Sequence, residues 1–402
     1  MRLSPLLLPC LLPGITLAHG EFPRATELHF IGGRIPLVET NFGILIPRGE
    51  HDWTWVCEEV SGDSEFRAFL PLPTGVWLIG TITGMKRTED GCTYTDVPAP
   101  VLGLYVTQIL QDPTVPTRVW ASTSTAGKAN ALFVSEDSGQ SWAEGYGTEV
   151  FGEGFTLRSF VFSPGGDLRV VGWRDAAPHL WWQQGEHWQE FEIPLGDGLG
   201  VFPLAPDTLD EDLLWLRYDY DTHDVLVTAT ARGEFEEVYT LEDTLQAFST
   251  GPGELLRFGG ISTGIYTREA VGSDITGPVL APEAGCSFVH DDEIYQCGNN
   301  WGDGASVLKM RADEQTWEPV QWFGDVHQVL SCPPESPTSY VCGPLWESVK
   351  LTNGMDLSTP PPETSPTPVP EAPAHEGCGS GGEGSGAALW WIGPTLRRRR
   401  RK

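Results

Sequence analysis

A chain of 402 residues, 40% apolar and 20% charged, could hold two or three average domains and can bury a core, which excludes a chain that stays disordered. Its 25 basic and 55 acidic residues leave a net charge of −30, and such a surface repels nucleic acid and anionic lipid while favouring solubility or basic partners. Gly (47), Pro (33) and Trp (16) are abundant, as many short strands joined by tight turns require; with no long apolar stripe at helical period, the chain reads as all-β.

Residues 1–18 read as a signal peptide: Arg2, the apolar run LLLPCLLPGITL, then small residues before a cut near Ala18. Cys10 lies inside it behind Pro9, a poor lipobox. Cleavage would leave His19 as the N-terminus, where an amine and an imidazole can chelate copper, but the sequence indicates no partner histidine. Gly33–Pro36 spells GRIP, and Arg34 is taken up below.

Along the chain, aromatic-ended turns recur. The clearest is SEDSGQSW, Ser135–Trp142. Asp137 can accept hydrogen bonds from the turn's own N–H groups, and Gly139 can adopt a positive φ. Ser135 and Ser141 can tie the turn's ends, while Trp142 packs into the sheet. Worn versions are RTEDGCTY from Arg87 with Glu89 at the Asp position, WWQQGEHW from Trp181, MRADEQTW from Met310, and IPRGEHDW ending at Trp53. Spacing adds turns near Gly233 and Gly272. A second series of β-rich runs begins at Val76, Val119, Leu168, Leu213, Leu255, Ile294 and Tyr340, at intervals of about 45 residues, the length of one four-stranded blade.

The Ser135–Trp142 motif resembles the Asp-box (BNR) repeat of sialidases, sortilins and related propellers. The resemblance implies a seven-bladed β-propeller over residues 25–352. The first turn precedes the first run and the last run follows the last turn, so the N- and C-terminal strands are expected to close the ring.

With Cys10 in the leader and Cys378 alone in the tail, six cysteines remain, enough for fifteen pairings. CSFVHDDEIYQCG (Cys286, Cys297) and CPPESPTSYVCG (Cys332, Cys342) look like equivalent hairpins, each with its second Cys two residues after a Tyr and before a Gly. The expected bridges are therefore Cys286–Cys297, Cys332–Cys342 and, by elimination, Cys57–Cys92. Without CxxC spacing, and with an export signal, disulfides outweigh zinc.

Residues 357–377 are Pro-rich and without apolar period, an extended linker. In residues 378–402, Cys378, a Gly/Ser stretch, the apolar Ala387–Leu396 and a cluster of arginines follow in order. That order resembles the myxobacterial C-terminal sorting tail (MYXO-CTERM), which implies processing and anchoring at the cell surface or outer membrane. The ten apolar residues would span only ~15 Å as a helix, half of a ~30 Å bilayer core, and Pro394 interrupts them; a basic lipid- or nucleic-acid-binding tail is the competing reading. Losing Arg2, Glu383, Arg397–Arg401 and Lys402 would leave 18 basic against 54 acidic residues, a net charge of −36.

The resemblance to sialidases implies a test of chemistry. Those enzymes use an arginine triad, a Tyr with a supporting Glu and an Asp acid/base. Arg34 in GRIP would occupy the first arginine's position, but the aromatic before it is missing and no later arginine matches the family's flanks. Trp173, Trp181, Trp182 and Trp188 could stack sugars, but more simply pack between blades. The sequence therefore reads as a monomeric, exported binding or scaffold propeller for a protein or glycan, without catalytic residues, metal or cofactor; the alternative is a secreted sialidase-like glycoside hydrolase.

Overall fold

In the computed structural model, the described residues run from 23 to 355, except 32–34, 50, 63–67, 208–209, 211, 252–254, 261, 270–272, 280–281, 284, 292, 312–315 and 354. The leader, His19, Arg34, the turn at Gly272, the centre of MRADEQTW, the linker, Cys378 and the tail thus lie outside them.

Seven antiparallel sheets follow one another along the chain, and together they form a seven-bladed propeller. Blade 1 comprises β1 (Ala25–His29), β2 (Leu37–Thr40), β3 (Gly43–Gly49) and β4 (Asp52–Val56). Blade 2 comprises β5 (Ala68–Pro71), β6 (Trp77–Thr81), β7 (Gly84–Thr88) and β8 (Thr95–Asp96). Blade 3 holds β9 (Val106–Gln111), β10 (Val119–Thr123), β11 (Leu132–Ser135) and β12 (Ala143–Tyr146), and blade 4 holds β13 (Thr156–Phe162), β14 (Leu168–Arg174), β15 (Ala177–Gln184) and β16 (His187–Glu192). Blade 5 is β17 (Gly200–Pro206), β18 (Leu213–Asp219), β19 (Asp224–Thr230) and β20 (Phe235–Leu241). Blade 6 is β21 (Ala247–Thr250), β22 (Leu256–Gly260), β23 (Gly264–Arg268) and β24 (Thr276–Val279). Blade 7 is β25 (Cys286–His290), β26 (Glu293–Cys297), β27 (Val307–Arg311) and β28 (Glu318–Gln321).

First strands touch first strands across neighbouring blades, so they form the inner ring. Second strands have a neighbour on both edges and a blade against both faces. That is why β6, β10 and β22 are buried along their whole length, and why such runs are the strongest signals in the sequence. Between blades the core is heavily aromatic: Trp53, Trp181 and Trp182 are fully buried and Trp215 nearly so.

Ring closure is more elaborate than the sequence predicts. Six of the seven β-rich runs are the second strands of blades 2–7, but the seventh, at Tyr340, is helical: a wide turn over Thr338–Cys342 leads into the helix Gly343–Thr352. Val341, Leu345, Trp346 and Val349 form a helical stripe on the core of blade 1, and Pro337 and Pro344 fit a helix start better than a strand. The C-terminal strand is instead β29 (Val326–Val329), which pairs parallel with β4 and covers the outer edge of blade 1.

Two expected disulfides are overturned for the same reason. CPPESPTSYVCG is not a hairpin, so Cys332 and Cys342 do not face each other; Cys342 bonds Cys57 and Cys332 bonds Cys92, with Cα separations of 5.4 and 5.5 Å. Cys286–Cys297 is present as a cross-strand pair of β25 and β26.

Candidate functional site

Antiparallel blades sort their connections. Turns between third and fourth strands share one face of the ring with those between first and second strands. Connections between second and third strands, and from one blade to the next, occupy the opposite face.

On the first face lies the Ser135–Trp142 turn, which joins β11 to β12. Asp137 Oδ1 accepts from the N–H groups of Gln140 and Ser141 at 3.0 and 2.8 Å, and the Ser141 hydroxyl donates to Oδ2 at 2.6 Å. Ser135 Oγ donates to Asp137 and accepts from the Gly139 N–H. Trp142 Nε1 donates to the Gly139 carbonyl. Gly139 has φ of 81°, and a Cβ there would come within 2.5 Å of Leu78 in blade 2. Partial burial would raise the Asp137 carboxyl, but the bonds from Ser141, Ser135 and Gln140 outweigh it and hold the pKa below the usual aspartate value.

The Arg87–Tyr94 turn has the same wiring, one residue shorter. Asp90, not Glu89, accepts from the N–H groups of Cys92 and Thr93, both at 2.8 Å. Thr88 stands in for Ser135, accepting from Gly91, and the Tyr94 hydroxyl reaches the Gly91 carbonyl. Glu89 points outward to Arg87. These carboxylates are consumed by the backbone, which leaves them unsuited to acid–base work.

On the opposite face, blades 3 to 5 enclose a pocket of about 240 Å³. Its lining comes from the starts of β13 and β17 and the ends of β14 and β18. Arg158 lies 4.5 Å from the centre of the Phe202 ring and Arg217 4.2 Å from it. Arg217 also donates to the Leu245 carbonyl and lies 3.6 Å from Asp224. Arg158 is exposed and, among the described residues, has no hydrogen bond or ion pair beyond this stacking. Asp219 contributes the one carboxylate among the residues lining the pocket. Its cross-strand partner Asp224 is buried behind it; burial raises the Asp224 pKa, against the Leu245 N–H and Arg217. Trp173 lines the pocket, whereas Trp181 and Trp182 are wholly buried and Trp188 packs edge-on to Tyr146 and Phe151.

Sequence reasoning passed over Arg158, Phe202, Arg217 and Asp219. Their one sequence signal is an arginine set in an otherwise apolar strand, in TLRSFVF and LLWLRYD. The same face carries exposed apolar groups on its connections: Ile82 (51%), Leu102 (54%), Leu199 (65%) and Trp301 (37%).

A second cluster lies in blade 1. His29 Nε2 is 3.3 Å from Glu39 Oε2, and Glu27 stands directly across from Glu39. Crowding by protein raises the Glu27 pKa, His29 lowers it and Glu39 raises it again, although the side chain keeps access to solvent. Burial would depress His29, but Glu27 and the contact with Glu39 prevail and raise it.

No known family model matches the chain, and no curated protein matches it in sequence. Solved structures do resemble it. A puromycin-hydrolyzing peptidase of Mycobacterium tuberculosis superposes with a TM-score of 0.54 at 14% identity, covering 76% of this chain and 54% of its own. A GH74 xyloglucanase from Xanthomonas campestris gives 0.52 at 14%, covering 75% and 55%. The extracellular domain of a putative one-component system from B. thetaiotaomicron gives 0.51 at 11%, covering 70% and 38%. The chain thus spans little more than half of these proteins at most, and at such identities the likeness is one of fold alone, the β-propeller.

Proposed function

We propose that this chain is an exported, non-catalytic binding propeller that takes a protein or glycan partner on the face bearing the pocket lined by Arg158, Phe202 and Asp219. The observation that carries this reading is Arg158, an exposed guanidinium held on an aromatic ring without a charge partner among the described residues. At about 240 Å³ the pocket suits one sugar ring or one side chain rather than a larger ligand. The surrounding exposed apolar groups would add contact area. A single carboxylate in the lining supports binding over glycoside hydrolysis, which ordinarily needs two.

Export fits the three disulfides, and an extracellular propeller domain is among the structural neighbours. Cell-surface anchoring rests on the order Cys378, apolar segment, arginine cluster. Mass spectrometry of native protein should find neither Met1 nor the arginine cluster; an intact terminal RRRRRK would refute processing.

The binding test compares wild type and Arg158→Ala on glycan arrays and in pull-downs from native surface material. The variant should keep its melting temperature and lose at least tenfold in affinity, as expected for about 1.4 kcal/mol or more at a charged contact. Turnover of a glycoside by purified protein, abolished by Asp219→Asn, would replace binding with hydrolysis.

A further inference from the structure

We propose that Glu27, His29 and Glu39 of blade 1 form a site for a divalent cation of the zinc class. Strand geometry brings the three together. Glu27 and His29 are two residues apart on β1 and so share a face, and Glu39 on β2 is the register partner of Glu27 on that same face. One donor atom from each lies within 4.8 Å of the others. Tetrahedral coordination at ~2.0–2.1 Å places two ligands roughly 3.3 Å apart, the separation seen between His29 Nε2 and Glu39 Oε2 at 3.3 Å.

Charge makes the same point independently. Two carboxylates directly opposed across a strand pair repel each other. Among the described residues neither has a lysine or arginine partner, and the Glu27 side chain has no hydrogen bond. One imidazolium balances only one of the two carboxylates. A divalent ion balances both and leaves the imidazole neutral, as a ligand must be.

The surroundings define the class of ion. An imidazole donor favours zinc and its transition-metal neighbours over calcium or magnesium, which prefer oxygen. His29 is 10% exposed at its side chain and set edge-on to Phe69 of blade 2, 5.1 Å between ring centres, so it is held in place. Glu27 is the exposed member, and with three protein ligands a fourth position stays open on its side for water or a partner's donor group.

The test uses the full secreted chain, stripped with a chelator and then titrated with zinc chloride by calorimetry and with cobalt chloride by visible absorption. One zinc site should stand out above weak binding to the acidic surface, and cobalt should give the intense bands of a tetrahedral site. Glu27→Gln and Glu39→Gln should each weaken zinc at least tenfold and abolish the zinc-dependent rise in melting temperature. Glu27 is exposed, so its variant keeps the fold even if substitution of half-buried Glu39 disturbs it. Equal zinc affinity and stoichiometry in wild type and Glu27→Gln would overturn the proposal, leaving a His29–Glu39 ion pair beside an isolated Glu27. Binding of calcium with no cobalt spectrum would overturn it as well.

Discussion

Removal of the Cys92–Cys332 bridge tests how this ring is closed. The seam lies between blade 7 and blade 1, and β29 carries the chain past it along the outside of β4. The following segment is then bonded to the Arg87–Tyr94 turn of blade 2 through Cys92 and to the end of blade 1 through Cys57. Taken alone, Cys92–Cys332 closes a separation of 240 residues and Cys57–Cys342 one of 285, each roughly 5–6 kcal/mol in the chain-entropy model. With either in place, the other closes only a loop of about 45 residues, made of 57–92 and 332–342, and contributes about 4 kcal/mol. The Cys92→Ala/Cys332→Ala variant should therefore lose about 4 kcal/mol, and the variant lacking both bridges about 9–10, more than twice the single loss; both are upper values, since measured disulfides rarely exceed about 5. Denaturant unfolding under non-reducing conditions gives these losses, and peptide mapping gives the pairs. Recovery of a Cys57–Cys92 or Cys332–Cys342 peptide, or losses that simply add, would refute a ring stapled through its C-terminal segment.

Other consequences are as direct. Asp137→Ala should cost about 1–2 kcal/mol for lost turn hydrogen bonds, Asp90→Ala at least as much, and Glu89→Ala less than about 0.5, all read from thermal or denaturant melts; equal effects at Asp90 and Glu89 would contradict the turn's wiring. Trp346→Ala removes a half-buried ring lying 5.8 Å from that of Trp55 and should destabilise by about 2 kcal/mol in the same melts without changing the disulfide map. Acid should weaken the fold through these turns. Partial burial pushes the carboxyls of Asp90, Asp112 and Asp137 up, but bonds from Thr93 and Cys92, from Thr114 and Val115, and from Ser141 outweigh it and hold all three below the usual 3.8. Their stabilisation is thus present above that pH and is lost as pH falls through the lower folded values. Asp224 and Asp303, raised by burial, act in the opposite direction, so the quantity to measure is the flatter stability–pH curve of Asp90→Asn/Asp137→Asn below pH 4 relative to wild type.

What the sequence determined by itself was the repeat. Second strands are enclosed on both edges and both faces, so they must be largely apolar, and six of them were legible as runs such as VWLIG and LRVVG. The tight third-to-fourth turns were legible because backbone N–H groups there need a side-chain acceptor and a residue that tolerates positive φ, met at Asp137 and Gly139. Outer strands such as β8, two residues long and exposed, leave no comparable trace. Tertiary structure alone decided the rest. Cys57 and Cys342 are 285 residues apart, and no local pattern can specify a partner at that distance when a plausible one lies ten residues away. The pocket is likewise lined by Arg158, Phe202 and Asp219 from three strands of two blades, with Arg217 stacked on Phe202, and the Glu27–Glu39 opposition depends on a strand register set by a bulge near Ala25. Each residue is unremarkable where it stands in the chain; its chemistry arises from neighbours that only the closed ring supplies.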